Sequence, residues 1–219
     1  MLVAFDLDGT LVDSSGDLAD SGNALLASYG APPLPAGAVV AMVGDGAREL
    51  VRRLLTARGL ETPLDAALSK FLELYDERLL ATTRLYDGIV PLLEHLHTRA
   101  RLAVLTNKPS APSERLLSGL GIRDFFDDVI GGDATFGRKP NPEGLVALMK
   151  RASVEPARTL MVGDSVTDLR TARQAGVPAC LVRYGFGFAQ VPEGESATAA
   201  FVVDRPDEIA AIVDRLTAS

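Results

Sequence analysis

The sequence predicts an α/β fold, in which helices cover both faces of a parallel sheet and an all-helical segment is inserted after the first strand. From Tyr86 onward, predicted helices and strands alternate with short loops, which is typical of a parallel sheet. The apolar run at residues 2–5 is short and ends at a turn signal, so it is predicted to be a buried strand of the same sheet. Residues 15–83 show helical patterns alone and therefore interrupt the sheet as an insertion.

The inserted segment is predicted to contain three helices. The second is the clearest, because apolar residues at helical spacing form one face and Gly59 ends the pattern. The predicted helices cover residues 17–29, 47–58 and 63–83. With hinges near 13–15 and 84–88, we expect a helical domain at residues 15–84 and a core domain at residues 1–14 and 85–219.

The remainder of the chain is predicted to supply the other strands and the helices that cover them. The predicted strands cover 102–105, 128–131, 159–162, 179–182 and 200–203, and the predicted helices cover 88–98, 111–120, 142–151, 166–175 and 207–216. Open parallel sheets bind ligands beyond the carboxyl ends of their strands. The residues that directly follow each predicted strand are therefore the candidates for a functional site.

The composition limits the partners that the chain is expected to bind. The 219 residues carry a net charge of −7, which argues against nucleic acid or an anionic membrane as the main partner. No stretch approaches the ~20 apolar residues that span a bilayer, and the N-terminus lacks the pattern of a signal peptide. The single cysteine, Cys180, allows no disulfide within the chain, which fits a reducing cytoplasm. The oligomeric state is left open, since the sequence is compatible with a monomer or a dimer.

Two pairs of acidic residues follow predicted strands and are expected to converge at one edge of the sheet. Asp6 and Asp8 follow the first strand, and Asp164 and Asp168 follow the strand at 159–162. Each pair alone is also compatible with a structural role, in a turn or at the start of a helix. Four carboxylates that converge without a cation would be strongly destabilising, so we expect a hard divalent ion, with Mg²⁺ as the common choice beside phosphate.

A hydroxyl, an amide and two lysines are the other candidates at strand ends. Thr106 and Asn107 precede a predicted helix, so they could hold a phosphoryl oxygen together with backbone amides, with a helix cap as the alternative. Lys108 and Lys139 are two of the four lysines in the chain, and a compact ammonium suits crowded carboxylates and a phosphate. Chance placement on a solvated loop is the alternative for both, more so for Lys108.

Together these residues resemble the motifs of the haloacid dehalogenase superfamily. Residues 5–14, FDLDGTLVDS, are similar to its first motif. Thr106, Lys139 and residues 163–168, GDSVTD, match its second, third and fourth motifs in order and spacing. The resemblance covers the whole chain and implies a Rossmann-like core with an inserted helical cap. Within the superfamily, residues 43–50, VGDGAREL, resemble the cap loop of phosphoglycolate phosphatases.

The resemblance also implies a role for each candidate residue. Asp6 would be the nucleophile that forms an aspartyl-phosphate, and Asp8 the acid and base that carries the proton. The carboxylates of Asp6 and Asp164 and the backbone carbonyl of Asp8 would hold Mg²⁺. Asp168 would act indirectly, by orienting Lys139 or a metal-bound water. The residues that would bind the phosphate and the rest of the substrate are Thr106, Asn107, Lys139, Gly44 and Gly46.

The function that this resemblance implies is Mg²⁺-dependent hydrolysis of a small phosphomonoester, with 2-phosphoglycolate as the leading substrate. A sugar-phosphate mutase of the β-phosphoglucomutase type, a pyrophosphatase and a broad-specificity phosphatase are alternatives, and an inactive phosphate-binding protein is a more distant one. Asp8 disfavours dehalogenation, because the dehalogenases of the superfamily lack an acid at this position. Arg48 and Arg183 are candidates for binding a substrate carboxylate.

Overall fold

The computed structural model describes residues 1–218, and its main feature is a six-stranded parallel sheet. In chain order the strands are β1 Leu2–Phe5, β2 Val12–Asp13, β3 Arg84–Leu85, β4 Arg101–Leu105, β5 Asp128–Ile130, β6 Thr159–Gly163, β7 Ala179–Val182 and β8 Phe201–Val203. The sheet order is β5-β4-β1-β6-β7-β8, so β1 lies at the centre. The predicted parallel sheet is confirmed, and the predicted strand ends agree to within one residue. Ser219, the last residue of the expected core domain, lies outside the described residues.

Helices cover both faces of this sheet. In chain order they are α1 Ser15–Ser28, α2 Ala36–Val40, α3 Ala47–Ala57, α4 Leu64–Asp76, α5 Ile89–Leu96, α6 Ser110–Gly119, α7 Glu143–Ala152, α8 Val166–Gln174, α9 Glu193–Ser196 and α10 Pro206–Ala218. Helices α5, α6 and α10 pack with Val3 and Phe5 of β1, whereas α7 and α8 pack with Leu2 and Ala4 on the opposite face. This alternation is the side-chain period of a strand that is buried on both faces. The predicted three-layer α/β core is therefore confirmed.

Helices α1 to α4, hereafter the inserted helices, lie between β2 and β3. Their apolar faces belong to the same buried cluster as Val3 and Phe5 of the sheet. Strands β2 and β3 pair antiparallel and form a two-stranded ribbon where the chain leaves and re-enters the core. The sequence did not predict this ribbon or the short α2, because each strand of the ribbon is only two residues long and the five residues of α2 are too few to show a helical period. No helix in the described chain is both long and apolar enough to cross a membrane.

The last of the inserted helices is shorter than the sequence predicted. Helix α4 ends at Asp76, and the prediction of a helix as far as Thr83 is wrong from residue 77 onward. The carboxylate of Asp17, on α1, accepts hydrogen bonds from the backbone amides of Thr82 and Thr83 at 2.8 and 3.0 Å. An amide that donates to a distant side chain cannot also donate within a helix, so these tertiary bonds override the helical pattern.

Candidate active site

The carboxyl ends of the three central strands carry the residues that the sequence singled out. Thr106 directly follows β4, Asp6 directly follows β1 and Asp164 directly follows β6. Backbone hydrogen bonds fix two of these positions, since the Asp6 amide donates to the Val162 carbonyl of β6 at 2.8 Å and the Thr106 amide donates to the Ile130 carbonyl at the end of β5 at 3.0 Å. Parallel pairing thus brings residues that are distant in sequence to one crevice.

Three buried aspartates form an acidic cluster in this crevice. One carboxylate oxygen from each of Asp6, Asp164 and Asp168 lies within 4.8 Å of the other two. Each residue is at most 8% exposed. The ammonium nitrogen of Lys139 lies 2.7 Å from Asp6 and 2.6 Å from Asp168. These four residues therefore place three carboxylates beside one ammonium group.

Burial raises the pKa of the two acids at the strand ends. For Asp6 burial is the largest cause, Lys139 offsets only part of it, and Asp168 adds to it, so the pKa rises to about 7. For Asp164, burial and then the neighbouring Asp168 and Asp6 raise the pKa well above its usual value. Burial alone would lower the pKa of Lys139, but the adjacent Asp168 and Asp6 carboxylates outweigh it and the net shift is upward. Lys139 therefore stays charged, whereas the ionised forms of Asp6 and Asp164 are disfavoured unless further positive charge lies nearby.

The acidic cluster fits a hard divalent cation. Its donor atoms are carboxylate oxygens, the ligands that Mg²⁺ and similar ions prefer. With all three acids ionised, Lys139 compensates one negative charge and leaves two. A divalent ion could neutralise that remainder, which explains how acids with raised pKa values could all stay ionised.

Two glycine-rich segments close around Asp164. Gly9 has a φ of +86°, and a Cβ atom there would lie 2.0 Å from Oδ2 of Asp164. The amide of Gly187, in the loop after β7, donates to the same oxygen at 2.7 Å. In that loop a Cβ on Gly185 would lie 2.2 Å from the carbonyl oxygen of Gly9. The support that this loop gives to Asp164 was not predicted, because a glycine carries no side-chain signal of its contacts.

The carboxylate of Asp8 is paired separately, with Lys108. Both of its oxygens accept hydrogen bonds from the Lys108 ammonium, at 3.0 and 2.8 Å, and one also accepts from the Ser14 hydroxyl at 2.6 Å. The side chains of Asp8 and Lys108 are only 13% and 5% exposed. This arrangement separates the Asp8 carboxylate from the acidic cluster, and it leaves the Asp8 backbone carbonyl as the group to be considered for a metal.

Asn107 connects the core to the loop before α3. Its side-chain nitrogen donates to the carbonyls of Gly44 and Lys139, both at 3.0 Å. Gly46 has a φ of +89°, and a Cβ atom there would lie 3.2 Å from the carbonyl oxygen of Asn107. Thr106, Asn107, Gly44 and Gly46 all line the same cavity. The structure thus brings these predicted substrate-binding residues together.

Asp168 contacts Lys139 and also caps the helix that carries it. Its Oδ1 contacts Lys139, and its Oδ2 accepts from the Ser165 amide and hydroxyl at 3.1 and 2.6 Å. The Ser165 hydroxyl in turn accepts from the Asp168 amide, which completes a capping box at the start of α8. The position of this carboxylate is therefore fixed by the helix that carries it.

The two arginines considered for a substrate carboxylate do not reach the cavity. Arg48 pairs with Asp65 at 2.5 Å, and Arg183 pairs with Asp204 at 3.1 Å. Their side chains are 46% and 50% exposed, respectively. Neither residue is among those that line the cavity. The expectation that one of them binds the substrate is therefore not supported by their positions.

The inserted helices and the loop before α3 give the cavity an apolar wall opposite the crevice. The residues of this wall are Leu18, Val43, Leu50, Phe71, Leu72 and Tyr75. The opposite side is polar and includes Asp6, Asp8, Thr106, Lys108 and Asp164. A compact ligand whose anionic groups face the polar side would match these two sides.

The fold and the crevice define a class of hydrolase. A sequence model of the haloacid dehalogenase-like hydrolases matches residues 3–182. The chain therefore belongs to the family of haloacid dehalogenase-like hydrolases, as its motifs predicted.

Within this family the chain is similar to proteins named phosphoglycolate phosphatase. It is 46% identical over 192 residues to the phosphoglycolate phosphatase of Rhodospirillum rubrum, and the aligned region covers 84% of this chain and 80% of that protein. It is 38% identical over 220 residues to phosphoglycolate phosphatase 1 of Pseudomonas aeruginosa, and the aligned region covers 98% of this chain and 80% of that protein. The crystal structure of a predicted phosphoglycolate phosphatase from Haemophilus somnus has a TM-score of 0.88 at 30% identity and covers 96% of each chain. These similarities confirm the prediction of a phosphatase enzyme of this family.

Proposed function

We propose that this protein hydrolyses 2-phosphoglycolate, a small phosphomonoester, with Mg²⁺ as cofactor and through an aspartyl-phosphate on Asp6. The relatives at 46% and 38% identity support the choice of substrate, because both are named phosphoglycolate phosphatases. The observation that carries the proposal is the environment of Asp6. This buried carboxylate lies at a strand end, contacts Lys139 and faces the same cavity as Asp8 and Thr106.

The reaction would proceed in two displacements at phosphorus. In the first, a carboxylate oxygen of Asp6 attacks phosphorus, the bond to the ester oxygen breaks, and Asp8 gives a proton to the departing alkoxide. In the second, water attacks the same phosphorus and gives a proton to Asp8, so that phosphate and Asp6 are released. Asp8 therefore has to donate one proton and then accept another. Its position in the cavity, held by Ser14 and Lys108, supports that assignment.

The phosphoryl oxygens need positive charge close by, since the chain as a whole carries a net charge of −7. Lys139 is fixed between Asp6 and Asp168 and would provide one such charge. A divalent ion held by the Asp6 and Asp164 carboxylates and the Asp8 carbonyl would supply further neutralisation of these oxygens. Thr106 and Asn107 would complete the binding of the phosphate.

The inserted helices would act as a cap over the crevice, with residues 15–84 as one domain and the rest of the chain as the other. Two hydrogen bonds support a closed arrangement. Asn107 donates to the carbonyl of Gly44, and the Thr167 hydroxyl donates to Asp45 at 3.4 Å. Closure would keep bulk water away from the reacting phosphoryl group. The single buried cysteine, Cys180, agrees with the cytoplasmic location that we expect for the enzyme.

The apolar wall of the cavity favours a compact substrate over a sugar phosphate. A hexose phosphate presents several hydroxyl groups, each of which needs a hydrogen-bond partner when it is buried. The side of the cavity that faces the phosphate site is formed by leucines, valine and aromatic rings. We therefore rank the mutase alternative below hydrolysis of a two-carbon phosphate ester.

The proposal is tested by phosphate release from 2-phosphoglycolate with the wild-type protein and the Asp6→Asn variant, with Mg²⁺ and with chelator. We expect the wild type to need the added metal and Asp6→Asn to lose at least about 1,000-fold in kcat, because its amide cannot act as the nucleophile. Asp20→Asn, at an exposed position on α1, is the matched control and should retain wild-type turnover. Metal-dependent turnover by Asp6→Asn would contradict the mechanism, and β-glucose 1-phosphate turned over faster than 2-phosphoglycolate would contradict the substrate.

A further inference from the structure

We propose that Lys108, assisted by the hydroxyl of Tyr75, binds the carboxylate of the leaving group and thereby selects phosphate esters of 2-hydroxy carboxylic acids. The inference rests on the proposed function, since it names the group that recognises the non-phosphate part of that substrate. It assigns Lys108 a role that the sequence alone left undecided between a site residue and a solvated lysine.

The first argument is the distribution of positive charge. A carboxylate that enters a buried cavity needs a cation or several hydrogen-bond donors to replace its hydration. Lys108 is the only basic residue among those that line the cavity in the described part of the chain. Lys139 is engaged by Asp6 and Asp168, and the candidate arginines Arg48 and Arg183 lie outside.

The second argument is the geometry of the Lys108 ammonium group. It lies 2.8 Å from the nearer oxygen of Asp8 and 4.6 Å from the centroid of the Tyr75 ring. An ammonium group has three donor hydrogens and no acceptor, so the pair with Asp8 leaves a donor available for a ligand. The salt bridge with Asp8 holds this ammonium group at the wall of the cavity.

The third argument is an unpartnered donor beside this lysine. Tyr75 lines the cavity and is 3% exposed, and among residues 1–218 its hydroxyl has no hydrogen-bond partner. Burial raises the pKa of Tyr75 to about 12, so the hydroxyl keeps its proton at neutral pH. A buried donor without an acceptor is destabilising, and a ligand carboxylate would supply the acceptor. The receptor for the carboxylate would thus consist of the Lys108 ammonium group from the core and the Tyr75 hydroxyl from the inserted helices.

The position of Lys108 beside Asp8 also sets the length of the substrate. A carboxylate that contacts Lys108 lies close to Asp8, the group that protonates the ester oxygen. In the phosphate ester of a 2-hydroxy acid a single carbon separates the carboxylate from that ester oxygen, so both can be reached together. A longer acid, such as the phosphate ester of 3-hydroxypropionate, would hold its ester oxygen further from Asp8.

The test compares 2-phosphoglycolate with ethyl phosphate, in which a methyl group replaces the carboxylate. We expect the wild type to prefer 2-phosphoglycolate by at least about 100-fold in kcat/KM, and Lys108→Met to reduce that preference to below about 10-fold. The ratio is the readout, because loss of the partner of Asp8 affects both substrates alike. Lys70→Met, at an exposed position on α4, is the control and should leave the ratio unchanged. Circular dichroism checks that Lys108→Met is folded.

Tyr75→Phe provides a second variant that keeps the ring and its stacking on Phe71, at 6.0 Å between centroids. We expect it to raise the KM for 2-phosphoglycolate about 3- to 10-fold and to leave ethyl phosphate unchanged. An equal loss for both substrates in Lys108→Met and no effect of Tyr75→Phe would overturn the inference. If the wild type releases phosphate from ethyl phosphate at least as fast as from 2-phosphoglycolate, the receptor is wrong while the phosphatase chemistry stands. Release from neither substrate would overturn the proposed function itself.

Discussion

Asp168 contacts both the start of a helix and the lysine of the acidic cluster. Its Oδ2 belongs to the capping box of α8, whereas its Oδ1 holds the ammonium of Lys139 at 2.6 Å. We predict that Asp168→Asn lowers kcat about 10- to 100-fold, since Lys139 would lose one of its two charged partners and the position that they define. Steady-state phosphate release measures the effect.

The variant Ser165→Ala separates the capping of α8 from the contact with Lys139. It removes the side-chain cap but leaves the contact between Asp168 and Lys139. We expect this variant to lose about 1 kcal/mol of stability in thermal unfolding and much less activity than Asp168→Asn. Equal losses of activity in the two variants would mean that Asp168 acts through the helix end alone.

At the scale of single residues, the strand-end rule located the crevice correctly but did not identify its internal pairs. Asp6, Thr106 and Asp164 were predictable because an acid or a hydroxyl directly after a buried parallel strand has to face the crevice. The pairing of Asp8 with Lys108 was not predictable, because it depends on contact between the loops that follow two different strands. Such a meeting leaves no periodic signal in the sequence.

At the scale of the elements, Asp17 fastens the first inserted helix to the segment that returns to the core. Its carboxylate accepts four hydrogen bonds, from the amides of Thr82 and Thr83 and from their hydroxyls at 2.6 and 2.7 Å. Gly16 leaves room for this contact, since a Cβ atom there would lie 2.4 Å from the Thr82 hydroxyl. The bonds join residues on either side of the whole insertion, which explains why the helical pattern after residue 76 does not form a helix.

We predict that Asp17→Asn lowers stability by about 3 kcal/mol, or about 6–12 °C in Tm, because an amide accepts fewer and weaker hydrogen bonds than a carboxylate. Burial alone would raise the pKa of Asp17, but the bonds from Thr82 and Thr83 outweigh it and the net shift is downward. Its stabilising contribution is therefore present above the unfolded pKa of about 3.9 and is lost as the pH falls through the folded pKa.

Thermal unfolding at neutral and acidic pH tests both parts of this prediction. The difference in Tm between wild type and Asp17→Asn should be largest near neutral pH and should shrink in acid. Asp20→Asn, on the exposed side of the same helix, should differ little from wild type at any pH. A difference for Asp17→Asn that grows in acid would show that the carboxylate does not stabilise the contact between the two ends of the insertion.

At the scale of the whole molecule, the sequence predicted the layers of the fold better than the packing of the insertion against the core. The alternation of helices and strands is a local pattern repeated along the chain, and it was sufficient to predict the parallel sheet. The ribbon of β2 and β3 and the contact between Asn107 and Gly44 are single long-range meetings. These contacts depend on how the whole insertion packs against the core, and a local sequence pattern carries no information on that packing.

We expect the acidic cluster to make the stability of the whole molecule depend on metal and pH. Burial raises the pKa of Asp6 to about 7, above its unfolded value of about 3.9. For an acid with a raised pKa, the contribution to stability is fully present below the unfolded pKa and is lost as the pH rises through the folded pKa. Without metal, the protein should therefore lose stability between about pH 4 and pH 7 as Asp6 ionises, and ionisation of Asp164, whose pKa is also raised, acts in the same direction.

We predict that Mg²⁺ stabilises the protein increasingly as the pH rises across this range, because the ion binds the ionised acids and competes with their protons. The measurement is Tm with excess Mg²⁺ and with chelator, from about pH 5 to pH 8, where metal at about 100 times its Kd adds about 2.7 kcal/mol. Asp6→Asn removes one raised pKa, so its metal-free Tm should fall less with pH than that of the wild type. A Tm difference between metal and chelator that is constant across the range, or absent, would show that these buried aspartates are not the metal site.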